Sequence, residues 1–253
     1  MTTLEVLFTP AEFAVLSQRD LSRTTCVVFD VLRATSTMVT ALANGAVRIL
    51  PAADIPEALE LRRRQPDVLL AGERNGVRIC SELTGGVDFE LGNSPREFSP
   101  ERVRDRTVVM TTTNGTRALR ACAGAQAIIA CSFLNLGATA AFLRLRAADE
   151  LLVVCSGTRE EAAYEDVLGA GALCELLVQQ QPIENITDSA QMSRQLFERA
   201  RADLPAALGE SRNGRRLLAI PELCADVALC ARIDQFRLVA EARADGALYQ
   251  RPG

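Results

Sequence analysis

The sequence predicts an α/β protein: a mostly parallel sheet, or sheets, flanked by helices. Three observations carry that prediction. Short β-branched apolar runs alternate with stretches of helical period, the pattern of βαβ units. Three of those runs pass into small hydroxyl residues and then an Arg, as strands do where their carboxyl ends meet a ligand edge. With 253 residues, 48% of them hydrophobic, there is apolar material for one large unit or for two lobes sharing a cleft.

In chain order, strands are expected at 4–8, 25–29, 47–50, 68–71, 107–110, 127–131, 151–155 and 236–242. Helices are expected at 10–17, 35–43, 56–64, 116–122, 138–147, 165–180 and 189–204, with further helix over 212–231 interrupted around Pro221. Pro10 and Pro56 suit first-turn positions. Gly45 and Gly124 suit left-handed helix ends. The stretch 72–106, rich in Gly, Pro, Ser and Asn, reads as the least regular part and so as a functional loop region or a lobe connection. Residues 1–253 read as a single α/β unit, and if the chain divides into lobes the boundary falls near 100–125.

Composition removes several chemistries. There is no His, and all 28 cationic side chains are Arg, since no Lys occurs. That excludes a Ser-His triad, a phosphohistidine, a His-ligated zinc, a Schiff-base lysine and a P-loop lysine. A formal net charge of −4 argues against a non-specific nucleic-acid binder. None of the eight Cys forms a C-x-x-C pair or a Cys-phosphatase loop, so they read as buried reduced thiols. No apolar run approaches a bilayer span, and Met1–Glu5 opens no export signal, which makes the cytoplasm the default expectation, with no membrane partner. Oligomeric state is left open.

The three strand ends are Asp30-Val31-Leu32-Arg33, then Thr111-Thr112-Thr113-Asn114-Gly115-Thr116-Arg117, and Ser156-Gly157-Thr158-Arg159. Helix starts offer free N–H groups, and hydroxyls with guanidinium forks match phosphate or sulfonate. Ordinary N-capping would explain one such loop; three, each with an Arg, favour an anion site. Asp30 ends a very apolar strand and needs Arg33, a metal or capping donors to offset its burial. Glu73-Arg74 ends another strand, and Glu165-Asp166 opens an apolar helix. Singly, such acids are dipole partners. Together, Asp30, Glu73, Glu165 and Asp166 are the acids best placed for Mg2+, which takes one or two carboxylates plus water and substrate oxygens.

These segments resemble the 2-phosphosulfolactate phosphatase family. The matching stretches are Asp30–Thr37 with Ala41–Ala46, Gly72-Glu73-Arg74, Phe89–Pro95, Thr112–Ala118 and Glu165–Gly171, in the family's order. The resemblance implies a magnesium-dependent phosphatase associated with coenzyme M biosynthesis, acting on a phosphorylated sulfonate, on a family-specific two-lobed fold with a cleft. It implies catalytic roles for Asp30, Arg33, Asn114 and Arg117, and substrate contacts for Arg74, Asn93, Ser94 and Thr116. Thr113 and Arg159 join the substrate set from the strand-end pattern. The D-x-D of aspartyl phosphatases is absent at Asp30-Val31-Leu32, which favours a ligand or base with direct water attack. Residues 75–88 are longer than the family's loop, which bears on substrate preference. Two alternatives stand beside this reading: a phosphatase of a different small phosphoester, and a non-catalytic anion-binding protein on the same fold.

Overall fold

The computed structural model describes residues 2–146, 148–180 and 182–252. It is α/β, with eleven strands among the described residues forming one sheet. They are β1 (Thr3–Leu7), β2 (Thr24–Phe29), β3 (Arg48–Pro51), β4 (Leu69–Arg74), β5 (Val77–Arg78), β6 (Thr107–Thr111), β7 (Ala127–Cys131), β8 (Glu150–Cys155), β9 (Asn185–Ile186), β10 (Leu238–Ala242) and β11 (Leu248–Pro252). Their order across the sheet is β5-β4-β6-β3-β11-β10-β7-β2-β8-β1-β9.

Two parallel blocks make up most of it. One is β4, β6 and β3; the other is β7, β2, β8, β1 and β9. The antiparallel hairpin β10–β11 joins them, β10 pairing with β7 and β11 with β3 through the single register pair Leu248↔Ile49. Three successive antiparallel steps leave the blocks running in opposite directions. In a flat sheet their carboxyl ends would lie at opposite edges; the accumulated twist of a sheet this wide turns them toward each other.

Helices cover both faces. They are α1 (Phe13–Leu16), α2 (Ala34–Ala43), α3 (Ile55–Arg64), α4 (Ser81–Thr84), α5 (Pro100–Val103), α6 (Gly115–Ala121), α7 (Leu136–Leu145), α8 (Tyr164–Gln180), α9 (Asp188–Ala200), α10 (Leu204–Glu210), α11 (Arg212–Leu218) and α12 (Cys224–Cys230). The strand period of two sorts the core into layers. Val27 and Phe29 of β2 pack with α7, α8 and α9, whereas Cys26 and Val28 face α2 and α6. Every residue of β2 is buried, as a central parallel strand requires.

Several boundaries differ from the sequence expectation for local reasons. The helix expected over 189–204 stops at Ala200 and restarts as α10, because Pro205 lacks an N–H and Asp203 caps the new start by accepting from Ala206 N at 3.1 Å. The first helix, expected over 10–17, begins as a 3₁₀ turn over Pro10–Glu12 before α1. Strand β11 was not expected, although Asp245-Gly246, with Gly246 at φ +77°, is a hairpin signal. Strands β5 and β9 have two residues each, too short for any period to show. The helix expected to reach Ala147 is α7, which ends at Leu145; Ala147 lies outside the described residues. Gly45 and Gly124 take φ +95° and +89° at their helix ends. All eight thiols are free, but Cys80 and Cys224 are only partly buried. No helix among the described residues is long and apolar enough to cross a membrane.

Helices α8 and α9 pack closely, with Gly171 lying against the Ser193 carbonyl. A Cβ at Gly171 would stand 2.0 Å from that oxygen. Gly171→Ala is therefore expected to destabilise by about 3 kcal/mol, lowering Tm by roughly 6–12 °C in a calorimetric melt.

Candidate functional site

The opposed blocks meet where β2, β4, β6 and β8 end. A cleft there is lined by Asp30, Leu32, Arg33, Glu73, Asn75, Gly76, Asn93, the run Thr112–Asn114, Thr158, Arg159, Asn213, Arg216 and Leu217. Arg33, beyond β2, donates from Nη2 to the Gly76 carbonyl, beyond β4, at 2.8 Å. Glu73 ties β4 to β6: its Oε1 accepts from Thr113 N and Oγ1, each at 2.9 Å, and its Oε2 accepts from Gly76 N at 2.6 Å. Gly115 brings α6 so near Asp30 that a Cβ there would stand 2.7 Å from Asp30 Oδ2.

Three carboxylates are buried side by side. Asp30 Oδ1 accepts from Ala34 N at 2.9 Å in the first turn of α2. Asp166 Oδ1 accepts from Val31 N at 2.8 Å, and its Oδ2 from Ser156 Oγ at 2.9 Å and Gly157 N at 3.1 Å. Asp166 thus fastens the end of β2 to the end of β8. Glu165 Oε1 accepts from Asn213 Nδ2 at 2.6 Å, while its buried Oε2 has no partner among the described residues. Burial pushes the Asp30 carboxyl up to about 6; the Ala34 N–H opposes the shift, and the charges of Glu165 and Glu73 add to it. Asp166 is held well above the usual carboxylate range, first by burial and then by Glu165 and Asp30. Burial also raises Glu165 against the Asn213 bond.

Among the described residues, no group of three or more carboxylate or thiol side chains stands close enough to enclose a cation unaided. Magnesium does not need one, since water and substrate complete its shell. The donor set fits such an ion: hard oxygens, carboxyls whose ionisation is opposed by burial and by one another, and two acceptors without a partner among the described residues, Glu165 Oε2 and Asn93 Oδ1. Glu73, also expected as a metal ligand, has both oxygens engaged by Gly76 and Thr113.

The other expected residues divide in two. Arg33, Asn93, Thr113, Asn114 and Arg159 line the cleft, Arg159 from a left-handed position at φ +59°. Ser94 is buried beside it, donating to Asp226 at 2.7 Å. Arg74 instead turns back on the backbone, donating to the Glu73 carbonyl at 2.7 Å and to Thr111 Oγ1 at 3.1 Å. Thr116 is buried inside the first turn of α6, bonded to the Thr112 carbonyl at 3.1 Å. Arg117 points outward, paired with Glu160 at 2.6 Å and lying over Phe13. Residues 113 and 114 precede α6 on non-helical backbone, with Asn114 at its N-cap, whereas 116 and 117 lie in its first turn, a change of backbone direction that the motif spacing alone does not reveal.

Sequence reasoning missed the contribution of α11 and α12. Asn213 and Arg216 line the cleft, and Asp226 is fully buried against Arg33. The signal available was an Asp inside the apolar run Cys224–Cys230, a position where burial has to be compensated.

Comparison with known proteins shows the family. A family model for 2-phosphosulpholactate phosphatase matches residues 12–245. A Pseudothermotoga lettingae protein named probable 2-phosphosulfolactate phosphatase is 39% identical over 98% of this chain and 100% of its own length. Proteins of the same name from Synechococcus sp. (strain JA-3-3Ab) and Thermotoga maritima are 40% and 37% identical, over 88% and 85% of this chain and 90% and 87% of theirs. The class so defined is that of phosphoric monoester hydrolases on an α/β sheet. Within it, the chain belongs to the 2-phosphosulpholactate phosphatase family.

The raised carboxyls set a pH dependence of stability. An acid whose folded pKa exceeds its unfolded value contributes stability that is present below the unfolded pKa and is lost as pH rises through the folded one. For Asp30 that window runs from the ordinary 3.8 to about 6. Without added metal, Tm is expected to fall between pH 4 and pH 7, and Asp30→Asn, which keeps an acceptor for Ala34 N, to raise Tm at pH 7 by several degrees.

Proposed function

We propose that the chain hydrolyses 2-phosphosulfolactate to sulfolactate and inorganic phosphate, with Mg2+ bound at the cleft. The observation that carries the reading is Asp30: a buried carboxyl raised to about 6, lining the same cleft as a guanidinium fixed at two points. A base with that pKa is ionised at neutral pH and still accepts a proton readily, as general base catalysis favours.

Arg33 would bind the phosphoryl oxygens. Two of its N–H donors are engaged by Asp226 and Gly76, and its fork geometry matches a tetrahedral anion. Thr113 and Asn114, at the end of β6, supply neutral polar contacts beside it. Arg159 and Arg216 line the other side of the cleft, where a carboxylate and a sulfonate would sit. With phosphate, carboxylate and sulfonate on a three-carbon skeleton, the substrate calls for several cations close together. Asp30 takes the proton of the attacking water. Glu165, whose Oε2 has no partner among the described residues, would hold Mg2+, which when bound neutralises charge on the phosphoryl oxygens, while Asp166, both of whose oxygens are engaged, fixes the strand ends around it. Leu32 and Leu217 supply apolar wall, which limits water in the cleft.

Purified protein is expected to release phosphate from 2-phosphosulfolactate with Mg2+, to lose that activity in EDTA and to regain it on adding the metal back. Asp30→Asn should lower kcat by about 10²–10⁴-fold, the range of a lost general base. Arg33→Gln should lower kcat/KM far more than Arg117→Gln, whose side chain already pairs with Glu160. Full turnover in Asp30→Asn would remove that residue from the chemistry, and turnover after thorough chelation would remove the metal.

A further inference from the structure

We infer that Asp226 is a positioning residue of the cleft, acting through Arg33; this rests on the reading of Arg33 as the phosphoryl-binding group. Asp226 lies in the first turn of α12, far along the chain from β2, and has no solvent exposure. Its Oδ2 accepts from Arg33 Nη1 at 2.7 Å, and its Oδ1 accepts from Ser94 Oγ and Arg96 Nε, each at 2.7 Å. One carboxylate therefore joins three segments: the turn after β2, the turn at 93–97 and helix α12.

The consequence for Arg33 is orientational. A guanidinium has five N–H donors in a planar fork. Asp226 takes one, on Nη1, and the Gly76 carbonyl takes another, on Nη2. With both terminal nitrogens tied, the plane of the fork cannot rotate, and the remaining donors keep one direction. Arg33 is itself only 3% exposed, so its charge would be costly to bury without this partner. Asp226 also holds Ser94, next to Asn93, which lines the cleft and whose Oδ1 has no partner among the described residues. The substrate-facing geometry on two sides of the cleft thus depends on a residue that does not line it.

A double-mutant cycle tests this, read in two ways: kcat/KM for 2-phosphosulfolactate, and the affinity for inorganic phosphate by titration calorimetry. Asp226→Asn keeps the size and removes the charge. In the otherwise unchanged chain it is expected to lower both quantities by about 10–100-fold, the scale of losing an outer partner that orients a binding group. In an Arg33→Gln background the same change should alter them less than about threefold, because groups acting as one unit are not additive. A purely structural role would lower Tm on Asp226→Asn in the otherwise unchanged chain and leave kcat/KM and phosphate affinity of the folded protein as they were. Equal losses in both backgrounds, or no loss in either, would overturn the inference. Should Asp226→Asn fail to fold, Asp226→Glu, which keeps the charge but displaces it by one methylene, replaces it in the same cycle with the same criterion. If the unaltered chain binds phosphate but turns over no phosphosulfolactate, the proposed function fails while the phosphate cycle still decides the role of Asp226. No phosphate binding at all would overturn both.

Discussion

Three buried carboxylates with too little compensating charge around them are the constraint on which this structure turns. Asp30, Glu165 and Asp166 receive backbone N–H groups, hydroxyls and an amide, and each carboxyl is displaced upward by burial. A core that existed only for stability would replace such groups with apolar ones of similar size. Retaining them stores a local excess of negative charge that a hard cation and a phosphate ester can relieve together. Perturbed acids of this kind gather at functional sites; of the three, Asp30 lines the cleft and Asp166 fastens together the ends of β2 and β8.

The second constraint is directional. Opposed parallel blocks have no common carboxyl edge by construction, so the site is assembled by cross-links between segments that the topology alone would separate. Glu73 links β4 to β6, Asp166 links β2 to β8, and Arg33 reaches from β2 to the turn after β4. Each link uses a charged or polar side chain on a backbone group, which leaves little freedom in where the strand ends lie. Gly115 adds a steric condition, because any larger residue there would push α6 away from Asp30.

Much of this was legible in the sequence. The apolar runs located the central strands to within a residue or so, since β2, β6, β7 and β8 are buried on both faces and carry no competing signal. Strand-end chemistry pointed to Asp30, Arg33, Thr113, Asn114 and Arg159, all of which line one cleft. Less legible was which way each side chain turns once a helix begins. Arg74 and Arg117 belong to the same motifs, yet one folds back on backbone carbonyls and the other pairs with Glu160 at the surface. The segments 212–218 and 224–230 contribute through tertiary contact alone. Asn213 reaches Glu165 over a sequence separation of 48 and Asp226 reaches Arg33 over 193, distances at which no local pattern carries information.

The slender joint between the blocks has a consequence for how the molecule forms. Leu248 pairs with Ile49, about 200 residues earlier, and β10 meets β7 more than a hundred residues after it. Such closures lose chain entropy before they return any contact energy, so they belong late in folding and make it slow. The block of β3, β4 and β6 pairs strands within about 60 positions of one another and can collapse earlier, whereas β7, β2, β8, β1 and β9 are themselves joined across more than about 100 positions. The cleft therefore comes into being only once the hairpin has brought both blocks into register, and a molecule in which the small block alone had formed would be inactive.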